Sequence, residues 1–288
     1  MAGKLYLVAT PIGNLGDLSP RAVETLQAAD IIAAEDTRNS IHLLTHFGIT
    51  GARLTSYHKF NRIEKAEELI GQMLTGADVA LITDAGMPAI SDPGEDLVRM
   101  CYEAGIEVTV IPGPCAAVSA LALSGLPTGR FVFEGFLPTE KKELKPVLES
   151  LKKETRTVIL YEAPHRLAKT LALLEEALGS ERKLSLVREI TKVHEEVIPT
   201  NLGEAVQRYS GENTARGEFV LVLAGRDPKE LAEAQEAAWD KLSVREHVAL
   251  YVSRGMDKKD AMKQVALERG MGKREVYKEC LDAQCENT

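Results

Sequence analysis

Residues 83–94, TDAGMPAISDPG, hold two Asp, two Gly and two Pro directly after the apolar run DVALI at residues 78–82. An apolar run of this length, ended by Gly and Pro, predicts a buried strand followed by a sharp turn. In open α/β sheets, ligands bind beyond the carboxyl ends of such strands. This stretch therefore predicts an α/β fold and one wall of a binding site.

Two more turns of this kind follow strand-like runs, ATPIGNLGDL at residues 9–18 and IPGPCAAVSALALSG at residues 111–125. None of the three contains G-x-G-x-x-G or G-x-x-x-x-G-K-[ST], and the carboxylates of Asp84 and Asp92 repel phosphate groups. The sequence therefore disfavours dinucleotide and ATP binding. A ligand that carries a positive charge and no phosphate fits these turns better, and S-adenosylmethionine, with its sulfonium, is such a ligand.

The two aspartates of residues 83–94 also have alternative structural roles. Asp92 precedes Pro93 and stands three residues before Glu95, a pattern typical of a helix start, so we interpret Asp92 as a helix cap. Asp84 directly follows the strand. It either contributes to the cofactor site, where we place it, or makes a local turn bond.

The first 225 residues or so alternate short apolar runs with helical patterns. Ser19 before Pro20 marks a helix start, Asn61 with Glu64 resembles a capping box, and Gly179 marks a helix end. These patterns predict an α/β fold with mostly parallel strands, at least in the first half. The length of the chain and its hydrophobic fraction of 44% fit two domains and a small third domain. We place them at residues 1–122 and 123–228, two α/β domains, and 238–288, a C-terminal helical segment.

The C-terminal segment reads as three short helices, the pattern of a helix-turn-helix-like bundle. Ser243 with Glu246 and Asp257 with Asp260 mark helix starts. Between residues 241 and 280, ten Lys or Arg stand against six Asp or Glu, which gives +4 in a chain of net charge −8. This end of the chain is therefore expected to face a polyanion. The expected core positions of the bundle are Ala261, Val265 and Ala266.

Composition also bears on compartment and metal binding. The sequence has neither a long apolar stretch nor a cleavable signal pattern, which favours a cytoplasmic protein without membrane contact. His42 and His46 have a zinc-compatible spacing but lack an evident third ligand, so we expect no metal site. Four cysteines without a C-x-x-C pair are expected to be free thiols: Cys101, Cys115, Cys280 and Cys285.

Charged residues cluster at three further strand ends: AAEDTRNS at residues 33–40, YEAPHR at residues 161–166 and REITKVHEE at residues 188–196. The first cluster contains Glu35, Asp36 and Arg38, for which an ion pair or a helix cap is the alternative interpretation. The third places many charges in a strand-like segment, which is unusual for solvated surface. Because all three clusters lie at strand ends, we again expect their side chains to face a cleft.

Eight motifs, taken in chain order, together resemble the ribosomal RNA small subunit methyltransferase I family of the tetrapyrrole-methylase-like superfamily. The similarity runs from about residue 4 to the C-terminal helical segment. Where tetrapyrrole methylases have a first loop of the G-x-G-P-G-D type, this chain has TPIGNLGD, which is consistent with an RNA substrate. The motifs are VATPIGNLGDLSPRA, AAEDTR, TDAGMPAISDPG, PGPCAAVSAL, EGFLP, YEAPHR, RE-x-TK and GE-x-VLV.

The resemblance implies S-adenosylmethionine-dependent 2'-O-methylation of a cytidine ribose in the decoding region of small-subunit (16S) ribosomal RNA. It also implies a homodimer, with the cofactor in a cleft between the two α/β domains of each subunit. We expect the RNA to be met within the assembled small subunit. The motifs of the family imply a set of cofactor-binding residues in this chain, and we add Asp84 to it. The residues that the motifs imply are Pro11, Ala85, Gly86, Met87, Ile90, Cys115, Ala116, Tyr161, Glu162 and Ile190.

Methylation of a ribose hydroxyl requires in-line positioning and removal of the hydroxyl proton. The candidate activators are Asp36, Glu162, Glu189 and Lys192, among which the sequence does not choose. The expected holders of RNA phosphate or ribose are Arg38, Arg188, Lys258, Lys259, Lys273 and Arg274.

Two other functions remain open from the sequence. A small-molecule methyltransferase of the same superfamily, acting on a corrinoid or porphyrin precursor, gives the basic C-terminal segment no role. A non-catalytic RNA-binding or ribosome-assembly factor gives the three Gly- and Pro-rich turns no role.

Overall fold

A computed structural model describes residues 2–210, 215–231, 233, 239 and 242–281. The chain divides into two compact units, Met1–Ala224 and Gly225–Thr288. The first unit contains two five-stranded sheets, and the second contains helices.

The first sheet has the strand order β3-β2-β4-β1-β5, and all its neighbouring strands are parallel, as predicted. Every residue of β2 and β4 is buried, because helices cover both faces of a parallel sheet. Its strands are β1 (Lys4–Val8), β2 (Ile31–Ala34), β3 (Arg53–Ser56), β4 (Val79–Ile82) and β5 (Glu107–Ile111). The helices between them are α1 (Pro20–Ala28), α2 (Thr37–His46), α3 (Arg62–Leu74) and α4 (Glu95–Glu103).

The second sheet has the order β6-β7-β10-β8-β9 and mixed directions. Only the β6–β7 pair is parallel, while β10 pairs antiparallel with β7 and β8, and β9 pairs antiparallel with β8. Its strands are β6 (Phe131–Phe136), β7 (Thr157–Glu162), β8 (Lys183–Arg188), β9 (Glu196–Asn201) and β10 (Phe219–Leu223). The helices around it are α5 (Ala116–Leu123), α6 (Lys141–Leu151), α7 (Pro164–Leu178) and α8 (Leu202–Tyr209).

Helix α5 packs on the second sheet although it follows the last strand of the first. Ala117, Ala120 and Leu121 share an apolar cluster with Ile159 of β7 and Val222 of β10. This cluster also includes a residue of the turn after β1, so it joins the two sheets. The domain boundary that we predict at residue 122 falls inside this helix.

The predicted helix starts have mixed outcomes. Ser19 accepts a hydrogen bond from the Ala22 backbone N–H, with Pro20 in the first turn of α1, as predicted. The capping box predicted at Asn61 is wrong, because the Asn61 side chain makes no cap bond to α3. It accepts from the His58 N–H and donates to the Ser56 carbonyl, and so closes the turn that precedes the helix.

The second unit contains three helices in the described residues 242–281, α9 (Val244–Ser253), α10 (Lys258–Glu268) and α11 (Lys273–Leu281). The capping box of Ser243 and Glu246 is present, and Asp257 caps α10 by accepting from the Lys259 N–H. The predicted core positions are buried here together with Val244, Val248 and Val276. Residues 238, 240–241 and 282–288 of the predicted segment, Cys285 among them, lie outside the described residues.

Within the described part of the chain, no helix has the length and apolar character needed to cross a membrane. Cys101, Cys115 and Cys280 are free thiols.

Gly94→Ala is expected to lower the free energy of unfolding by about 2–4 kcal/mol. Gly94 has φ +155°, and an added Cβ would lie 2.8 Å from the Ala89 Cβ and 3.0 Å from the Leu81 Cδ2. Urea unfolding measures the loss. Gly48→Ala is the matched control, since Gly48 has φ +64° but no atom within 4 Å of the added Cβ. Equal losses in the two variants would contradict this packing argument.

Candidate active site

A cavity of about 360 Å³ lies within the unit Met1–Ala224, a volume typical of small-molecule sites. One side is formed by the turns that follow β1, β2 and β4 and by the start of α5. The other side is formed by the ends of β6, β7 and β8 and by the start of β10. The cavity therefore lies at the carboxyl ends of first-sheet strands, where these folds bind ligands.

Most of the residues that the sequence proposes for cofactor binding lie around this cavity. Pro11 does not line it; Pro11 is buried next to Ile12, which does. That the proposed residues contact a cofactor stays a prediction. Those that line the cavity are Asp84, Ala85, Gly86, Met87, Ile90, Cys115, Ala116, Tyr161, Glu162 and Ile190.

The turns after β1 and β4 hold each other in place. Thr10 and Gly86 form an antiparallel bridge, with Thr10 N–H to Gly86 carbonyl at 2.9 Å and the reverse bond at 3.1 Å. The Thr10 hydroxyl also donates to the Thr83 carbonyl at 3.0 Å. Gly86 has φ +89°, a conformation that glycine adopts without strain. The two turns thus form one rigid wall.

Tyr161 connects the second sheet to the start of α5. Its hydroxyl oxygen accepts a hydrogen bond from the Ala117 N–H at 3.1 Å. Its ring contacts the edges of Phe133 and Phe136, with centroids 5.0 and 5.7 Å away. Burial raises the pKa of Tyr161 to about 12. The phenol therefore stays protonated and keeps a proton to donate at the cavity wall.

Glu162, the last residue of β7, is a buried carboxylate with three partners close by. One oxygen accepts from the Thr170 hydroxyl at 2.5 Å, and the other accepts from the Ala163 N–H at 2.8 Å. The Arg166 Nε lies 3.4 Å from the second oxygen. The contacts fix the carboxylate in one position at the cavity wall.

Asp92 does not cap α4, so our interpretation of this residue is wrong. The N-cap position is Gly94, and it makes no side-chain cap bond. Asp92 instead lines the cavity together with Thr83. Burial, with the nearby carboxylates of Glu35 and Asp84 acting in the same direction, raises the pKa of Asp92 to about 6.

Asp84 makes contacts beyond its own turn. Its carboxylate accepts from the Asn39 side-chain amide at 2.9 Å and from the Asp36 N–H at 3.3 Å. These donors belong to the start of α2, so the carboxylate connects the turn after β4 to the turn after β2. A local turn bond, the alternative role, is not what this geometry shows.

Backbone strain is concentrated in two segments beside the cavity. Four residues other than glycine have positive φ in the described chain, at angles of 51° to 68°. Such conformations persist where surrounding contacts impose them, often at functional sites. They are Ala89 and Ser91 after β4, and Glu189 and Thr191 after β8.

Glu189 and Lys192 form an ion pair that also includes Glu218, at the edge of the cavity. The Lys192 ammonium lies 2.9 Å from a carboxylate oxygen of each glutamate, and Glu189 also accepts from the Glu218 N–H. This backbone bond and Lys192 lower the pKa of Glu189. Although burial opposes it, the hydrogen bonds to both glutamates raise the pKa of Lys192. Both groups are therefore held in their charged forms.

Asp36 and Arg38 lie outside the cavity lining and have the structural roles that we give as their alternative. Asp36 caps α2 and accepts two guanidinium bonds from Arg38, at 3.1 and 2.6 Å. The hydrogen bonds from Arg38 lower the pKa of Asp36 to about 2. Arg188 donates to the Arg216 carbonyl at 2.6 Å and pairs with Glu196 at 3.4 Å.

The four other expected RNA-binding residues belong to the second unit. Lys258 and Lys259 begin α10, and Lys273 and Arg274 begin α11. All four are exposed. A helix N-terminus carries partial positive charge, so each pair of basic residues strengthens an anion-attracting helix end.

Several lining residues are absent from the sequence-based site. Glu35 lines the cavity and directly follows the buried strand β2. This position at a strand end is the sequence signal that could have identified it as a site residue. Phe136 belongs to the motif EGFLP and Glu218 to GE-x-VLV, but their places in the site depend on the strand order of the second sheet. No Lys, Arg or His of the described residues lines the cavity.

Asp92→Asn is expected to raise the free energy of unfolding at pH 7 by about 1–3 kcal/mol and to change it little at pH 4. The folded protein holds the Asp92 proton up to about pH 6, whereas the ordinary pKa is 3.8. Between these values the folded state binds more protons than the unfolded chain, so stability falls as pH rises. Asparagine does not titrate. Urea unfolding at pH 4 to 8 checks this, and a difference independent of pH would contradict it.

Comparison with known proteins gives a consistent family assignment. The family model described as Tetrapyrrole (Corrin/Porphyrin) Methylases matches residues 4–206. A ribosomal RNA small subunit methyltransferase I of Synechocystis sp. is 48% identical over 284 residues, which cover 99% of each chain. The protein of that name from Bacillus subtilis is 44% identical over 275 residues, 96% of this chain and 93% of its own.

Solved structures share the fold at lower sequence identity. Uroporphyrin-III-C-methyltransferase from Thermus thermophilus aligns with a TM-score of 0.53 and 21% identity, over 77% of this chain and 94% of its own. Diphthine synthase aligns with a TM-score of 0.60 and 14% identity, over 76% and 89% of the two chains. These likenesses concern the arrangement of sheets and helices.

Proposed function

Because the chain belongs to the tetrapyrrole methylases, and within them to the ribosomal RNA small subunit methyltransferase I family, we propose that it methylates small-subunit ribosomal RNA with S-adenosylmethionine. In the finer form of the proposal, the acceptor is the 2'-hydroxyl of a cytidine in the decoding region. The enzyme acts as a homodimer on the assembled subunit, as the family resemblance implies.

The observation that carries the cofactor assignment is the chemistry of the cavity lining. Its charged residues are carboxylates, which suit a cation and disfavour phosphate. Apolar side chains such as Ile12, Ile90 and Ile190 offer a surface for an adenosine. The backbone of residues 85–87, in the turn held by Thr10, offers polar groups that orient the ligand. The residues present therefore fit S-adenosylmethionine.

The chain must position the ribose hydroxyl and accept its proton. S-adenosylmethionine, when bound, supplies an electrophilic methyl group on a sulfonium. The bridged turns fix one wall of the site, and the bond of Tyr161 to Ala117 fixes the opposite wall against it. Such positioning contributes much of the rate in enzymes of this kind, since reacting atoms must be in line.

A cavity carboxylate accepts the hydroxyl proton in this proposal, and Asp92 fits that task best. A general base works best when its pKa is near the working pH, and that of Asp92 is about 6. The other candidate activators are engaged: Arg38 lowers the pKa of Asp36, and Glu189 pairs with Lys192. Glu162 accepts several bonds at once, which favours a positioning role.

Ribose methylation in cells tests this function. Cells that lack the protein are expected to lack one 2'-O-methyl group in small-subunit ribosomal RNA, which mass spectrometry of nuclease fragments maps to a cytidine. Wild type should restore it, while Ala85→Trp should not, because an indole fills the cavity from an exposed position. Ala104→Trp, exposed at the end of α4 and outside the lining, is the control. Unchanged ribose methylation in the deletion strain would contradict the proposal.

A further inference from the structure

Five carboxylates line the cavity, and they differ in how they are compensated. Those of Glu162 and Glu218 have basic partners, Arg166 and Lys192. Asp84 accepts two N–H bonds, as described above. Glu35 accepts a hydrogen bond from the Thr83 hydroxyl, and in the described structure neither Glu35 nor Asp92 has a basic partner. The negative charges of these two carboxylates are therefore uncompensated, and a cation bound in the cavity would interact with them most strongly.

Thr83 lines the cavity with both carboxylates and directs its hydroxyl proton to one of them. Its hydroxyl is buried and donates its only proton to a Glu35 oxygen at 2.8 Å. That proton is therefore not available to Asp92, whose carboxyl lines the same cavity. Burial and the neighbouring carboxylates of Glu35 and Asp84 raise the pKa of Asp92 to about 6, so it holds its proton more readily than an ordinary aspartate.

Among the residues that the structure describes, the other titratable groups around Asp92 give it no positively charged neighbour. Asp84 from the turn after β4 and Glu35 from the turn after β2 are both acidic. Tyr161 of β7 is held protonated by burial, and Cys115 at the start of α5 lies beside it. Glu162 and Glu218 line the far wall with their own basic partners. A cation placed in the cavity is therefore the change that favours loss of the Asp92 proton.

We propose that Glu35 and Asp92, the two lining carboxylates without a basic partner in the described structure, make the cavity select its cofactor by charge, holding the methylated sulfonium form and releasing the neutral thioether product. This inference rests on the proposed function. S-adenosylmethionine has one more positive charge than S-adenosylhomocysteine and otherwise differs by a methyl group. Binding the cation ionises Asp92 and sends its proton to solvent, whereas binding the thioether leaves the proton in place. The same ionisation prepares Asp92 to accept the proton of the ribose hydroxyl.

Isothermal titration calorimetry with S-adenosylmethionine and S-adenosylhomocysteine tests the proposal on the intact protein. At pH 6, titrations in buffers of different ionisation enthalpy give the number of protons released. We expect up to about half a proton for S-adenosylmethionine and close to none for the thioether, since Asp92 is about half protonated at pH 6. The preference for the charged ligand should increase from pH 5 to pH 7.

Variants assign the effect to the two carboxylates. Glu35→Gln keeps an acceptor for Thr83 and should reduce the ratio of the two affinities about tenfold, since removing one nearby charge weakens only the charged ligand. Asp92→Asn should abolish proton release and the pH dependence of that ratio. Glu95→Gln, three residues from Asp92 but exposed and outside the lining, should change neither. Thermal melts of each variant without ligand check that the fold is retained.

The outcomes separate the inference from the function on which it rests. If both ligands bind and the affinity ratio is the same in wild type and Glu35→Gln, the charge selection is overturned while the methyltransferase proposal stands. Equal proton release for the two ligands overturns it as well. If neither ligand binds the wild-type protein, the cofactor assignment itself is wrong, and this inference is wrong with it.

Discussion

Glu162→Ala is expected to lower the free energy of unfolding by about 3–5 kcal/mol, the largest loss from a single side chain of this site. The wild-type carboxylate is inaccessible to solvent and accepts from the Thr170 hydroxyl and the Ala163 N–H. Its removal also leaves the Arg166 guanidinium, which is only 27% exposed, without its carboxylate. Buried donors without a partner, and a half-buried charge without a counter-ion, both oppose folding.

Urea unfolding of two further variants separates this effect from loss of charge in general. Glu162→Gln keeps one acceptor oxygen and is expected to lose less than Glu162→Ala. Glu149→Ala removes an exposed i,i+3 partner of Lys152 and should change the free energy of unfolding very little. A loss for Glu162→Ala as small as that for Glu149→Ala would contradict the stabilising role that we assign to the buried Glu162 carboxylate at the end of β7.

Replacing Lys258, Lys259, Lys273 and Arg274 together with alanine is expected to weaken binding to small-subunit ribosomal RNA roughly 100-fold at physiological salt. The four side chains are exposed at the starts of two helices, where the helix dipole adds to their charge. In the described part of this unit, the ion pair of Lys263 with Asp260 uses other residues. The positive charge at these helix starts is therefore available to phosphate groups.

The salt dependence of binding gives the most specific measurement of this effect. Each lost phosphate contact should reduce the slope of log K against log salt by about 0.7 to 0.9, so the fourfold variant should lose about 3. Affinity for S-adenosylmethionine should not change, because the cavity lies in the other unit. Lys263→Ala is the matched control, because Lys263 lies in α10 with Lys258 and Lys259 but is already paired with Asp260. An unchanged slope would contradict RNA contact at these helix starts.

Local patterns predicted those features whose interactions are local in sequence. The starts of α1 and α9 depend on Ser19 with Pro20 and on Ser243 with Glu246, residues within one turn of each other. The parallel first sheet follows from alternating strands and helices. Our interpretation of Asp92 failed because its pattern suits a cap, while the fold places its side chain in the cavity lining with Thr83, nine residues away and directly after β4.

Features that depend on long-range pairing were out of reach of the sequence. The apolar pattern of β10 looks like that of the other strands, yet it lies between β7 and β8 and brings Glu218 to the cavity. Helix α5 follows β5 directly, yet packs on the second sheet through Ala117 and Leu121. Periodicity shows that these segments are buried and does not show against which partner.

The most direct test of the central claim is methyl transfer by the purified protein from labelled S-adenosylmethionine to small ribosomal subunits taken from cells that lack it. We predict label on the ribose of one cytidine of the RNA, mapped by nuclease digestion, with Ala85→Trp inactive and Ala104→Trp active. Absence of label on both subunits and free RNA, from a protein shown to bind the cofactor, would contradict the account. That result would favour a small-molecule acceptor for the methyl group.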